Sequence, residues 1–509
     1  MNPRFKTPLI FATAAILASS SLPFFMTQTW AAPLHAYVQK KKKGKKQKNA
    51  QPETETTSAP AAAPSEAAPV AKPSGEAAAP TQAKPASVKP VALSTTPSAK
   101  PAKAEDDPQR AAWYIDIAPH LVLGSGHPGK AASDFDKPDG VAFTPAGLLL
   151  ATDAKNRRVH VWDVKTGTRL GEFGHRQLGG EIVDIAVTPS GTVLVTDQTL
   201  NLAYAFEPPK PGALDEKGKP MSPYDYQFKG TRFGEQGFDK LGGIAIDSRG
   251  RIYVVDAHLN EVRRFGPDYQ PDQSWHFERG KANGETYLHG CEGIAIDESA
   301  GNVFVASEKD AVIQVFDLNT GAYKHKHIGA GEDASGTLTG KKVFFGSVEG
   351  LALVGNYLLA VDESAGHIQI FNISIADVFN KDLAHYAVST RSRSGYKGYI
   401  GHSSLVDFED KTNTALQQQV KDGAVIPGQA NPPGYFCSPD AIASYTDKTA
   451  GETYVAVADQ CNYRLAVYRW SDITRKLDHN AGGQQVVAKS KPAAPSETKG
   501  GGKKGKKKR

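Results

Sequence analysis

The chain has 509 residues, a formal net charge of +6 and only three cysteines. Three cysteines are too few for a scaffold held together by disulfides. Beyond the N-terminal stretch no segment is long and apolar enough to cross a bilayer, so the composition excludes a second transmembrane helix.

Residues 1–32 have the organisation of an export signal. A basic start precedes an apolar stretch from about residue 8 to about residue 26, and Ala31 and Ala32 suit cleavage by a signal peptidase. The alternative is an uncleaved N-terminal anchor, which Pro23 and the serines before it disfavour. We therefore expect an exported protein, either periplasmic or secreted.

Residues 33–109 form a segment that the composition predicts to be disordered. A lysine-rich run leads into a tract of Pro, Ala, Ser, Thr and Lys that has too few large apolar side chains to offset its ordering entropy. Residues 476–509 are expected to form a second disordered tail, which ends in another basic run. The basic tails could provide solubility and spacing, or contact anionic envelope polymers or lipid headgroups. They lack the interleaved aromatic side chains of single-strand binders, so we predict no specific nucleic-acid recognition.

Between residues 110 and 475 a pattern of three short extended runs repeats six times. The runs are rich in Val, Ile and Phe and are bounded by Gly, Asp and Asn, which predicts strands and turns. The second run of each unit closes on an acid, and these acids are Asp153, Asp197, Asp256, Glu308, Asp362 and Asp459. The period is mostly about 45 to 60 residues.

This repeat predicts an all-β fold, a single six-bladed β-propeller over 110–475 with disordered tails. The segment HLVLG at 120–124 precedes the first full unit, and we expect it to supply the outer strand of the last blade. Residues 373–435 interrupt the repeat and could be a lid over the channel mouth or a disordered loop.

Two rings of carboxylates should face one mouth of the channel, because the first and second strands of a blade run antiparallel. The first ring lies at the start of the first strands and comprises Asp139, Asp184, Glu292, Glu349 and Asp440. The second ring comprises the six acids that close the second strands. Converging carboxylates bind a hard cation or raise one another's pKa values. An acid at a strand end can instead cap the following turn, and we expect that structural role for the second ring. For the first ring both roles stay open.

Four basic side chains follow the second strands at the same mouth: Lys155, His258, Lys309 and His367. Beside a bound cation they would suit a phosphate or carboxylate ligand, although as surface residues they need no such role.

The three cysteines also fall at this mouth. Cys437 precedes the first strand of unit six and Cys461 follows its second strand, so we predict a Cys437–Cys461 disulfide and a free Cys291.

The unit P-x-G-[IV]-A, followed by a turn, an apolar run ending in Asp and N-x-[RV]-[IV], resembles the NHL repeat. Linkers such as FGHRQLGG and RFGEQGFDKLGG add to the resemblance, which covers about 120–330 and, less purely, 345–470. It implies an NHL or TolB-like propeller, a fold that serves scaffolds, binding modules and enzymes alike.

The segments CEGIAIDESAGNVFVASEKD (291–310), VEGLAL (348–353) and YRWSDI (468–473) also resemble β-propeller phytases, which are calcium-dependent phosphatases of inositol phosphates. That resemblance implies Glu292, Glu308 and Glu349 as calcium ligands, beside the ring members Asp139 and Asp440. The Asp-rich stretches in the early blades of the phytases have no clear counterpart in this chain.

These features lead to one principal hypothesis and two alternatives. The principal hypothesis is an exported, monomeric NHL-type module that binds a small-molecule or protein ligand, or acts as a scaffold, with calcium as a candidate cofactor. The first alternative is a calcium-dependent phosphomonoesterase of the 3-phytase type, and the second is a lactonase-like hydrolase with one metal in the channel. No G-x-S-x-G elbow, P-loop, HExxH or paired CxxC motif is present, so no catalytic residue is identified.

Overall fold

The computed structural model describes residues 113–234, 237–279, 281–282, 285–286, 288–332, 338–342, 345–379, 395–408 and 410–481. Three parts of the chain lie outside these ranges: the predicted export signal, the predicted disordered segment 33–109 with the three residues that follow it, and the tail beyond residue 481. So does the stretch 380–394 of the interrupting segment.

Twenty-three of the strands build six consecutive blades, as the repeat predicts. The N-terminal strand and blades one and two are β1 (Leu121–Leu123), β2 (Pro138–Phe143), β3 (Leu148–Asp153), β4 (Arg158–Asp163), β5 (Thr168–Phe173), β6 (Ile182–Val187), β7 (Val193–Asp197), β8 (Leu202–Glu207) and β9 (Gln227–Phe233). Blade three is β10 (Leu241–Ile246), β11 (Ile252–Asp256) and β12 (Glu261–Phe265), followed by the short β13 (Lys281–Ala282) and β14 (Glu285–Thr286). Blade four is β15 (Cys291–Asp297), β16 (Asn302–Ser307), β17 (Val312–Asp317) and β18 (Tyr323–Ile328), followed by β19 (Ala330–Glu332) and β20 (Leu338–Lys342).

Blades five and six contain the remaining strands and are separated by an inserted region. Blade five is β21 (Val348–Val354), β22 (Tyr357–Asp362), β23 (His367–Asn372) and β24 (Tyr396–Ile400), with a 3-10 turn at Ala376–Phe379. The inserted region holds β25 (His402–Ser403), α1 (Thr414–Lys421), α2 (Pro427–Ala430) and β26 (Tyr435–Phe436). Blade six is β27 (Pro439–Asp447), β28 (Glu452–Asp459) and β29 (Arg464–Arg469), with a 3-10 turn at Gln460–Asn462, and it leads into α3 (Trp470–Ala481).

The ring is closed by the predicted N-terminal strand. β1 pairs antiparallel with β29, so that Leu121 lies opposite Val467 and Leu123 lies opposite Leu465. This pairing completes the last blade as a four-stranded sheet of β1, β29, β28 and β27. Both ends of the propeller are therefore held in one sheet, which removes the exposed edge that an open ring would leave.

The core lies between adjacent blades. The second strands are buried on both faces, as the fully buried run Val193–Asp197 shows, and such strands read as continuous apolar runs rather than alternating ones. Phe304 of blade four packs with Leu358 and Phe371 of blade five in one buried cluster. Face-to-face contacts of this kind hold the six sheets around the channel.

Two predicted boundaries differ from the structure. The interval 373–435, predicted to be irregular, contains β24, which is the outer strand of blade five and pairs with β23. The C-terminal helix α3 continues to Ala481, past the predicted end of the propeller at residue 475. In both places the strand or helix depends on packing against a neighbouring element, which periodicity alone does not reveal.

Candidate functional site

The geometry of the channel mouth is set by a bulge that recurs in every blade. In all six first strands the pairing with the second strand shifts between the first and the fourth residue. A bulge leaves residues unpaired and re-aims their side chains. The second residue of the strand is acidic in four blades, and these residues are Asp139, Glu292, Glu349 and Asp440. In blade two the acid is the third residue, Asp184.

The structure brings these acids together around one cavity of about 290 Å³, called the acid cavity below. Its acidic lining residues are Asp139, Asp184, Glu292, Glu308, Glu349, Glu363 and Asp440. All five first-ring members are among them. Blade three contributes Gly242 and Gly243, whose missing side chains leave room beside Glu292.

The sequence analysis did not identify two lysines that line the acid cavity. Lys137 Nζ lies 3.3 Å from Asp139 Oδ2 and 2.5 Å from Glu181 Oε1, and Lys240 Nζ lies 3.1 Å from Glu292 Oε1. Each lysine stands two positions before the ring position of its blade, in KPDG and KLGG. That shared position was the available signal, and it places two positive charges among the carboxylates.

Enclosure and mutual repulsion raise the pKa values of the first-ring acids. Burial raises the pKa of Asp139 to about 7, against the opposing effect of the Lys137 ammonium. Burial also raises the pKa of Asp184 to about 7, against two backbone N–H donors, from Ile244 and Ile185.

The other ring members shift in the same direction. The pKa of Asp440 is raised well above its ordinary value by burial and by the charges of Asp139 and Glu292, and that of Glu349 by burial and by Asp440. The acid cavity therefore holds protons at neutral pH, where isolated carboxylates would hold none.

The second ring occupies structural positions. Asp153 Oδ1 accepts the backbone N–H of Asp136 at 2.7 Å, and Asp197 Oδ2 accepts that of Gly180 at 2.7 Å. Corresponding bonds at Asp256, Asp362 and Asp459 come from the residues Asp239, Gly346 and Cys437. All five acids are fully buried, and each fixes the loop that enters its own blade.

The register corrects the assignment of Glu308 to the second ring. Cys291 pairs with Ser307, so Ser307 is the counterpart of the buried aspartates, and its Oγ accepts the backbone N–H of His289 at 3.0 Å. Glu308 lies one residue further on and lines the acid cavity, as does Glu363, which follows Asp362. The sequence analysis placed Glu308 in the second ring because it is the acid nearest to the end of the second strand of blade four.

In blade six, an arginine and an asparagine hydrogen-bond to the second-ring acid Asp459. Arg464 Nε donates to Asp459 Oδ2 at 2.8 Å, and Asn462 Nδ2 donates to the same carboxylate. The Arg464 guanidinium also donates to four backbone carbonyls, those of Gly428, Asn431, Pro432 and Tyr435. Blade one repeats the arrangement with Asp153, Asn156 and Arg158.

The four predicted basic residues do not surround the acid cavity. Lys155 is exposed, with its Nζ 3.2 Å from Asp136 Oδ1. His367 is only 1% exposed and stacks on Tyr399 with ring centroids 4.2 Å apart. His258 and Lys309 line a separate cavity between blades three and four.

Cys437 and Cys461 form a disulfide, with their Cα atoms 5.2 Å apart. Phe408 and the α1 residues Leu416 and Val420 pack against it. Cys291 is free and buried, and burial followed by the nearby Glu292 charge raises the pKa of its thiol, which suppresses the reactive thiolate.

The donors around the acid cavity are oxygens, which suits calcium rather than zinc or copper. Within the residues that the structure describes, no group of three or more His, Cys, Asp or Glu side chains is arranged to hold a metal ion. A cation would therefore need the carboxylates to draw together. Nor does any helix among the described residues have the length and apolar character needed to span a membrane.

No protein-family model matches the chain, and no curated protein matches it. Among solved structures, a streptogramin B lyase is similar at 12% identity with a TM-score of 0.39, over 68% of this chain and 96% of the lyase. A protein of unknown function from Bacteroides thetaiotaomicron matches at 14% identity with a TM-score of 0.41, over 68% of this chain and 73% of that one. A virginiamycin B lyase from Staphylococcus aureus matches at 11% identity with a TM-score of 0.35, over 65% of this chain and 84% of the lyase. Similarity at this level of identity concerns the fold alone.

Proposed function

We propose that this protein is an exported NHL-type β-propeller that binds a ligand at the acid cavity, with calcium as part of the site. The observation that carries the proposal is the convergence of all five first-ring carboxylates on one cavity. Their raised pKa values support it, because a group of buried carboxyls that repel one another gains most from a divalent cation.

The chemistry of the cavity favours calcium among hard cations. Calcium accepts six to eight oxygen ligands in flexible geometry, whereas magnesium demands a near-ideal octahedron. The five first-ring carboxylates stand on five separate strands and are not held in a preformed cage, so a tolerant cation fits them better. Lys137 and Lys240 would then face the anionic part of a ligand that reaches the cation.

Calcium titration of the chelator-treated protein tests the site. We expect calcium to raise the melting temperature at pH 8, because an ion that binds only the folded state stabilises it by mass action. Glu349→Gln should lose most of that rise, since the charges of four other cavity acids act on the Glu349 carboxylate. Glu216→Gln, on an exposed loop, is the matched control and should respond like the wild type. An unchanged melting temperature in the wild type would refute calcium binding.

A second candidate function is a calcium-dependent phosphomonoesterase of the phytase type. It is favoured by the two lysines in the same cavity as the acids, since ammonium groups beside a bound cation suit a phosphate ester. If this is the activity, the protein releases phosphate from inositol hexakisphosphate with calcium but not with chelator, and Glu292→Ala abolishes the release. Calcium binding without phosphate release would leave the binding module as the function.

A further inference from the structure

A second cavity, of about 360 Å³, lies between blades three and four and is distinct from the acid cavity. It is lined by Ala257, His258, Asn260, His289, Gly290, Lys309 and Asp310. His258 follows β11, His289 precedes β15 and Lys309 follows β16, so three separate loops each contribute a basic side chain. We call it the anion pocket.

His289 is held in one orientation by Asp310. His289 Nδ1 lies 3.1 Å from both carboxylate oxygens of Asp310, and Asp310 Oδ2 accepts the backbone N–H of His289 at 2.9 Å. Ser307 Oγ donates to the same oxygen at 2.8 Å. A carboxylate fixed in this way keeps a proton on Nδ1, so that Nε2–H can donate to a ligand when the ring is an imidazolium.

The charged groups of the anion pocket differ in how far hydrogen-bond or ion-pair partners balance their charges. Asp310 already accepts bonds from His289 and Ser307, so its negative charge is largely satisfied. Lys309 is exposed, and its ammonium forms no ion pair with any residue of the described ranges. His258 Nδ1 lies 3.5 Å from Asp239, and both side chains are more than half exposed, so that pair is weak. The unsatisfied charge of the pocket is positive.

Gly290 keeps the anion pocket open. It has a φ of +64°, and a Cβ at this position would lie 3.1 Å from Glu308 Oε2 and 3.4 Å from the Lys309 side chain. Glycine therefore satisfies the backbone and leaves space between the two side chains. Glu308 lines the acid cavity while Lys309, the next residue, lines the anion pocket, so the two cavities adjoin.

We propose that the anion pocket binds an anionic group, a phosphate or a carboxylate. The principal donors are the Lys309 ammonium and the Nε2–H of the His289 imidazolium, with His258 at the rim. Charge-assisted hydrogen bonds from basic groups that converge on one cavity are a usual means of holding such a group. The binding needs no calcium, so it stands or falls separately from the proposed function.

The test is an NMR titration of chelator-treated, histidine-labelled protein with inorganic phosphate and, in parallel, with acetate. We expect saturable shifts of the His289 and His258 ring signals, and the stronger of the two titrations identifies the chemical class. Lys309→Ala should weaken binding about tenfold or more, whereas Lys309→Arg should largely retain it.

Lys155→Ala is the matched control, because Lys155 stands two residues after Asp153 as Lys309 stands two after Ser307, and it lies outside both cavities. It should bind like the wild type. Asp310→Asn should weaken binding and also broaden the His289 signal, because the ring loses its fixed orientation. Shifts that do not saturate, or equal affinities for wild type and Lys309→Ala, would overturn the proposal. Loss of calcium binding alone would leave it intact.

Discussion

Replacing Arg464 with methionine is expected to lower the free energy of unfolding by about 3–5 kcal/mol. Arg464 is 2% exposed and Asp459 is fully buried, with their side chains 2.8 Å apart. The substitution leaves the Asp459 carboxylate buried without its cation. It also removes the donor of four backbone carbonyls between residues 428 and 435, in bonds that are partly or fully buried.

Urea unfolding followed by circular dichroism measures this change. Arg475→Met is the matched control, because Arg475 pairs with Asp472 on the surface of α3 with 63% of its side chain exposed. Exposed pairs of this kind contribute only about 0–1 kcal/mol. Equal losses for the two variants would show that burial does not set the strength of the Arg464 network.

Blade one offers an internal comparison. Arg158 donates to Asp153 at 2.8 Å and to the backbone carbonyls of Lys130, Ala131 and Asp134, as Arg464 does in blade six. Both arginines stand at the first residue of a third strand and anchor the loop that enters the same blade. This repetition accounts for the second-ring acids of blades one and six, Asp153 and Asp459, as structural groups.

The fold could be predicted from the sequence because its signals are local and repeated. Runs such as LLLATD and TVLVTD fix the second strands by composition alone, and six copies fix the blade number. The closing strand at 120–124 was predictable because the run HLVLG precedes the first complete unit and is not needed by it. Blade three differs, since only three of its strands form a sheet within the described ranges, and the polar stretch after Phe265 carried no signal for that.

The candidate site was predictable only where a side chain follows the repeat. Four of the five first-ring acids share one strand position and Asp184 lies one residue further on, so their convergence followed from the antiparallel strands. Lys137 and Lys240 reach the cavity from the loop before the strand, and their direction depends on backbone geometry such as the φ of +69° at Lys137. His289 was missed because its partner Asp310 lies 21 residues away, across a strand pair.

The second large effect is on the pH dependence of stability. The pKa values of Asp139 and Asp184 are about 7 in the folded protein, against an ordinary value of 3.8. Acids with raised pKa values bind protons more tightly in the folded state, so their contribution is complete below about pH 4 and is lost as the pH rises through 7. Buried His160, whose pKa is lowered mainly by burial, acts in the opposite direction. His160 is present in both the wild type and Asp440→Asn, so a comparison of their stabilities over the same pH range cancels the histidine contribution.

We expect Asp440→Asn to unfold like the wild type at pH 5 and to be more stable than the wild type at pH 8, because the raised pKa of Asp440 marks a carboxylate that destabilises the folded state when it ionises. The asparagine amide mimics the protonated carboxyl. Its oxygen can still accept from Gln460 Nε2, which lies 2.9 Å from Asp440 Oδ2, and its nitrogen can donate to Asp139. Urea unfolding in chelator at the two pH values measures the difference, with the exposed Glu216→Gln as control. A variant less stable than the wild type at pH 8 would contradict the mutual repulsion of the ring.

Calcium should reverse the order of the two proteins. At pH 8 the cation would neutralise the wild-type ring and stabilise it, while Asp440→Asn, with one carboxylate fewer, would gain less. The wild type would then be less stable than the variant without calcium and more stable than the variant with it. Buried carboxylates that weaken the empty fold and strengthen the loaded one are the expected mark of a binding site rather than of a structural ring. The second ring, whose members pair with backbone N–H groups and arginines, should show no such reversal.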